Sequence, residues 1–178
     1  MKAGQRKGDV QAPWTQFVGA IACAGLLLLA LAGFAQAGEI PSAVAARVAG
    51  DAKRTRFVAD LSSAVSFSVY VVPDPYRVII DLPEVRFDLP KGSGNRARGL
   101  VSEFRYGVLE KGRARIVLDT NGPVLIEKSY VVKPGDGQPA RIVVDLVRTT
   151  RKAFLKTYRA EARLTVKDIV TTVTAALS

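Results

Sequence analysis

The segment Arg77-Val78-Ile79-Ile80-Asp81 carries the pattern that decides the fold class. Successive side chains of a β-strand point to opposite faces, so Arg77 and Asp81 share one face while Val78 and Ile80 lie on the other. A helix would also bring residues four apart together, but the β-branched residues between the two charges favour a strand. The segment is therefore predicted to be a strand with a charged outer face and an apolar inner face.

The same Arg-x-x-x-Asp phrase returns at residues 56–60, 115–119 and 141–145. Residues 56–60 align with 115–119, Tyr70 aligns with Tyr130, and residues 77–82 align with 141–146. The offset between the halves grows from 59 to 64 residues, as insertions in loops would produce. These correspondences indicate an internal duplication. Arg of one phrase can lie opposite Asp of a neighbouring strand, which predicts a ladder of cross-strand ion pairs on the sheet face.

Turn residues divide the body of the chain into eight alternating segments, predicted as strands at residues 55–61, 66–72, 76–82, 85–89, 100–108, 113–120, 124–132 and 139–147. Short strands at this spacing are typical of sandwiches and barrels. The fold class is predicted to be all-β, a sandwich of two pseudo-symmetric antiparallel sheets packed face to face.

The first 37 residues have the three regions of a secretory signal peptide. A polar start with Lys2, Arg6 and Lys7 precedes an apolar run at residues 17–34, and Ala35-Gln36-Ala37 follows. We expect cleavage after Ala37 and a periplasmic mature chain. The alternative is an uncleaved membrane anchor, since eighteen apolar residues reach the lower limit of a membrane span.

The segments on either side of the sandwich are less patterned. Residues 38–52 are interpreted as a linker, and the Arg47-to-Asp51 spacing inside them as a coincidence, because the residues between are small. The sandwich is expected at residues 53–148. Residues 149–178 are predicted to be a short helical or disordered tail, either a linker or the truncated start of a missing domain.

Composition excludes several kinds of site. The chain has no histidine and one cysteine, so a Ser-His or Cys-His nucleophile pair and a histidine or cysteine zinc site are excluded. No catalytic residue, cofactor or metal is predicted. The net charge of +10 favours acidic partners such as cell-wall polymers or phospholipid head groups. Because basic residues alternate with acidic ones, no nucleic-acid partner is expected.

Residues 56–147 resemble the AMIN domain of periplasmic N-acetylmuramoyl-L-alanine amidases. The resemblance is carried by Asp74-Pro75-Tyr76-Arg77-Val78-Ile79-Ile80-Asp81-Leu82-Pro83, Phe87-Asp88-Leu89-Pro90, Phe104-Arg105-Tyr106-Gly107 and Ala140-Arg141-Ile142-Val143-Val144-Asp145-Leu146. It implies a symmetric β-sandwich that binds peptidoglycan and concentrates an attached zinc amidase at the division septum. The family's enzyme holds its metal with histidines and a glutamate, so the catalytic half is absent here.

Three functions remain open from the sequence. The first is a non-catalytic periplasmic module that binds peptidoglycan and targets a cell-wall amidase to the septum. The second is the N-terminal fragment of a zinc amidase. The third is an envelope protein-interaction module of a secretion or pilus system, with septal or other envelope proteins as partners and the sheet edges pairing with them.

The candidate peptidoglycan-binding residues are Tyr76, Arg77, Arg105 and Tyr106. A carbohydrate needs a flat apolar surface for its ring and donors for its hydroxyls, and adjacent Tyr and Arg could supply both. Arginine also suits the carboxylates of the peptide stems of peptidoglycan. The structural alternative is that these tyrosines pack at the rim of the core.

Overall fold

Nine strands and a C-terminal helix make up the part of the chain that the computed structural model describes, residues 39–110 and 112–176, with side chains described up to residue 163. They are β1 (Ser42–Gly50), β2 (Arg54–Leu61), β3 (Ser68–Val72), β4 (Arg77–Pro83), β5 (Arg86–Phe87), β6 (Val101–Glu110), β7 (Arg113–Thr120), β8 (Val124–Val132), β9 (Ala140–Arg148) and α1 (Arg151–Ala176). The expected signal peptide and its cleavage site lie outside the described residues.

The strands form two sheets, and the order of the strands shows the duplication. Sheet A has the order β5-β1-β2-β9-β8, and sheet B has the order β3-β4-β7-β6. Neighbours are antiparallel except for the short parallel pair β1–β5. Apart from β5, which has no counterpart in sheet B, exchanging β1–β4 with β6–β9 in order converts one sheet into the other. The predicted all-β fold of two pseudo-symmetric antiparallel sheets is therefore confirmed.

The two sheets bury their apolar faces against each other. Phe57 of β2 is fully buried, and its ring meets that of Phe104 of β6 edge-on at 5.4 Å. Each large side chain removed from water in this way contributes about 1.5–3 kcal/mol. The apolar side chains that alternation predicts for the inner faces form much of the remaining core, which includes Leu61, Val78, Ile80, Ile116, Leu118, Ile142, Val144 and Leu146.

The interpretation of residues 38–52 as a linker is wrong for residues 42–50, which form β1 and pair with β2. Weak patterning concealed this strand because β1 buries small residues, Ala43 above all. Gly50 turns the chain with φ +121°, where a Cβ would overlap the Arg54 carbonyl. Asp51 accepts hydrogen bonds from the backbone N–H groups of Lys53 and Arg54 and completes the turn.

The tail is helical, and its first turn belongs to the core. Thr150 caps α1 by accepting a hydrogen bond from the Ala153 backbone N–H. Phe154 is fully buried, and its ring meets that of Tyr76 edge-on at 4.9 Å. The helix lies against β3 and β8, the edge strands of the two sheets on one side of the sandwich. No helix in the described part of the chain has the length and apolarity needed to cross a membrane.

Candidate ligand-binding face

The outer face of sheet B brings two of the four predicted site residues onto one carboxylate. Arg77 lies opposite Asp119 in the β4–β7 register and donates from Nε to Oδ1 at 3.1 Å. Arg105 of the edge strand β6 donates from Nη2 to Oδ2 of the same residue at 2.8 Å. Asp119 is largely buried, whereas 38% of the Arg77 side chain and 59% of the Arg105 side chain are exposed. The carboxylate therefore holds two guanidinium groups that face solvent.

A second ion pair lies farther along β4. Arg115 donates to Asp81 from Nε at 2.6 Å and from Nη2 at 3.0 Å, and the Tyr70 hydroxyl donates to the same carboxylate at 3.2 Å. The Arg115 hydrogen bond lowers the pKa of Asp81 and raises that of Arg115. Burial raises the pKa of Tyr70. Asp81 is thus ionised and Tyr70 neutral at physiological pH.

Sheet A repeats this arrangement through the pseudo-symmetry. Asp60 accepts from Arg47 Nη1 at 2.8 Å and from Arg141 Nε at 3.0 Å, as Asp119 accepts from Arg105 and Arg77. In the second pair, Arg56 donates to Asp145 at 2.6 and 2.8 Å. That hydrogen bond lowers the pKa of Asp145. The predicted cross-strand ladder of ion pairs is confirmed on both faces.

The structure separates each predicted tyrosine from its neighbouring arginine. Tyr106 lies opposite Ile116, on the inner face of β6, and packs against the rings of Phe87 and Phe104. Tyr76 packs on Phe154, and its hydroxyl lies 3.5 Å from Arg151 Nη1. Both rings are partly buried at the rim of the core. The alternation of faces along a strand explains why neither Tyr-Arg pair forms one platform.

Arg47 is the residue that sequence reasoning missed. It occupies in β1 the place that Arg105 occupies in β6, because each lies opposite the central valine of a phrase, Val58 or Val117. The signal was a spacing: Arg47 precedes Asp60 by 13 residues, and Arg105 precedes Asp119 by 14. The Arg47-to-Asp51 spacing is a coincidence, as the sequence indicates: Asp51 serves the turn, and the partner of Arg47 is Asp60.

The chemistry that these faces offer is the charge-assisted hydrogen bond. Arginine presents planar donors that match carboxylate oxygens. Ile79, although on the outer face of β4, is only 6% exposed, as expected when long side chains lie over the sheet centre. Within the described residues, no group of three or more His, Cys, Asp or Glu side chains could hold a metal ion.

A comparison with models of protein families shows which family the chain belongs to. The model of the AMIN domain matches residues 45–146, which is more than half of the chain. The chain belongs to the AMIN domain family. The match begins within β1, so it includes most of the strand that the sequence alone predicts to be a linker.

The AMIN domain is a non-catalytic domain, associated with peptidoglycan-binding and targeting modules of amidases, and AMIN domains are typically periplasmic. A search of curated proteins found no match to the chain.

Proposed function

We propose that this AMIN domain is a periplasmic, non-catalytic module that binds peptidoglycan through the outer face of sheet B and brings a cell-wall amidase to the division septum. The observation that carries the proposal is the pair of exposed arginines held by one carboxylate, Arg77 and Arg105 on Asp119. Membership of the AMIN domain family supports the class of ligand.

Arg77 and Arg105 suit the carboxylates of peptidoglycan stem peptides. Arg77 contacts Asp119 through Nε, and within the described residues its two Nη groups have no other partner. Arg105 also approaches Glu103 at 3.8 Å, a weak contact that a ligand carboxylate can replace. Because Asp119 fixes both guanidinium groups before binding, the cost of ordering two long side chains is reduced.

A cavity on the β3 side of the sheet suits the glycan strand. It has a volume of about 580 Å³, lies between β3 and α1, and is lined by Tyr70, Tyr158, Val72 and Asp81 among others. Tyrosine rings offer a flat apolar surface for a sugar ring, and the Asp81 carboxylate can accept from sugar hydroxyls. Asp81 follows Arg77 by four residues on one strand, a span of about 13 Å. We propose that the glycan lies at the cavity while a stem peptide reaches Arg77 and Arg105. In this arrangement Tyr76 and Tyr106 support the sheet from its inner face.

Co-sedimentation with isolated peptidoglycan sacculi tests the proposal. The fragment 39–178 is expected to pellet with sacculi, and the double variant Arg77→Ala, Arg105→Ala to stay in the supernatant. The matched control is Arg47→Ala, Arg141→Ala, which removes the equivalent arginines from Asp60 on sheet A. The control should bind like the wild type. Equal loss in both variants would assign binding to overall charge and contradict the choice of face.

Recruitment to the septum needs a separate test in cells. A fluorescent fusion of the exported chain should concentrate at division sites, and the Arg77, Arg105 variant should spread around the envelope. A pull-down that recovers an envelope protein from material free of cell wall, with no binding to sacculi, would contradict peptidoglycan as the ligand and favour a protein partner.

A further inference from the structure

A second, strongly basic cavity lies on the other side of the sandwich from α1. It has a volume of about 500 Å³ and lies between β1 and the loop at residues 91–98 that precedes β6. Four of its lining residues are cationic and none is acidic: Arg47, Lys91, Arg96 and Arg98 supply the charge, while Val48 and Phe104 supply apolar surface. Such a concentration of one charge around a concave surface attracts anions.

Three of these cations have no acidic partner among the described residues. Arg47 is held by Asp60, but no ion pair joins Lys91, Arg96 or Arg98 to a carboxylate within residues 39–110 and 112–163. All three are exposed. They stand in contrast to the arginines of the sheet faces, nearly all of which meet an aspartate. The cavity therefore holds an unbalanced positive charge.

The loop that carries these cations is held in place by the sheet. Phe104 donates its backbone N–H to the Gly94 carbonyl at 3.0 Å. Gly94 has φ +99°, and a Cβ there would overlap the Phe104 carbonyl oxygen, so the loop approaches β6 more closely than a side chain allows. Ser93 donates its hydroxyl to the Pro90 carbonyl and tightens the turn. The cavity is thus formed before any ligand arrives.

The neighbouring edge of β1 leaves room for a ligand. β5 pairs only with Ser42 and Ala43 at the start of β1. The backbone of residues 46–48 therefore borders the cavity instead of another described strand.

We propose that this cavity binds a phosphate monoester. Three cations that lack an acidic partner in the described part of the chain favour an anion with more than one charge. A phosphate monoester carries about −1.5 to −2 at pH 7, whereas a single carboxylate carries −1. Its three oxygens accept several charge-assisted hydrogen bonds at once, which suits a cavity lined by several arginines. The site is separate from Arg77 and Arg105, so this proposal stands or falls independently of peptidoglycan binding.

Two probes distinguish the sources of such a group. Isothermal titration of the fragment 39–178 with inorganic phosphate, at ionic strength held constant with chloride, tests a small soluble ligand. Pelleting with phosphatidylcholine vesicles that do or do not contain phosphatidic acid tests a lipid head group. Binding to phosphate alone assigns the site to soluble phosphate esters, and binding to the phosphatidic acid vesicles assigns it to lipid.

Charge-matched variants make the test specific. Arg96→Gln with Arg98→Gln should weaken binding by about tenfold or more, because two charge-assisted contacts are lost. Lys152→Gln with Lys156→Gln removes the same charge from an exposed face of α1 and should change binding by less than about twofold. Equal weakening by both pairs, or no binding of either probe by the wild type, overturns the proposal. Both variants should still sediment with sacculi.

Discussion

Arg47 and Arg105 occupy equivalent positions in the two halves of the domain. Each lies on the strand next to the Arg-x-x-x-Asp phrase of its own half and donates a hydrogen bond to the aspartate that ends that phrase. The two contacts, Arg47 to Asp60 and Arg105 to Asp119, have the same 2.8 Å length. The duplication has therefore preserved whole three-residue clusters, Arg47–Asp60–Arg141 on sheet A and Arg105–Asp119–Arg77 on sheet B. Variants at one cluster consequently have a structurally matched control at the other.

The first prediction uses this match to separate binding from stability. Asp119→Asn should lower the free energy of unfolding by about 1–3 kcal/mol, because two arginines lose their charged acceptor. Asp60→Asn should lower the free energy of unfolding by a similar amount. Urea unfolding measures both. Only Asp119→Asn should weaken sedimentation with sacculi, since it releases Arg77 and Arg105. Wild-type binding by Asp119→Asn would contradict the proposed face.

The second prediction concerns the loss of stability at low pH. The Arg115 hydrogen bond lowers the pKa of Asp81 below that of the unfolded chain, about 3.9. The folded state therefore binds fewer protons than the unfolded state near that pH. The stabilisation is fully present above the unfolded pKa and is lost as the pH falls through the folded pKa.

Asp81→Asn removes this contribution. The difference in unfolding free energy between wild type and variant should be largest at about pH 7 and shrink towards about pH 3, as measured by urea denaturation across the range. Ser68→Ala, on the neighbouring strand in register with Asp81, is the control without an ionisable group. A difference in unfolding free energy that stays constant with pH would show that the ionised Asp81 does not stabilise the folded state.

The third prediction tests whether the start of α1 belongs to the domain. Phe154→Ala should lower the unfolding free energy by about 3–5 kcal/mol, because a fully buried ring against Tyr76 leaves a cavity. Lys152→Ala, exposed on the same turn of helix, should change it by less than about 0.5 kcal/mol. Thermal denaturation followed by circular dichroism measures both. Equal, small effects would mean that the sandwich is stable without the helix.

The fourth prediction follows from β1. A fragment that starts at residue 53 lacks β1 and leaves the edge of β2 unpaired, whereas a fragment that starts at residue 39 keeps the sheet. The shorter fragment should show no cooperative unfolding transition and should aggregate, since an unprotected apolar edge invites pairing. Size-exclusion chromatography and urea denaturation of the two fragments decide this. Cooperative unfolding of 53–178 would show that β1 is dispensable.

The charged phrases show how much of the sheet faces could be predicted from the sequence. Alternation assigned Arg77 and Asp81 to the outer face, and the repeat placed matching strands in both halves. The same alternation places Tyr76 and Tyr106 on the opposite face from their neighbouring arginines. That is why two of the four candidate residues are at the core rim.

The sequence by itself determined the strand period, the duplication and the absence of histidine chemistry, because each depends on residue type and local spacing. Tertiary structure alone decided which charges meet. Arg and Asp of one phrase are about 13 Å apart along an extended strand, too far to pair. Antiparallel pairing of one half with the other places Arg56 opposite Asp145 and Arg77 opposite Asp119. That β1 belongs to the sheet and Phe154 to the core was also decided by long-range packing, because small alanines and a single aromatic residue carry little local signal.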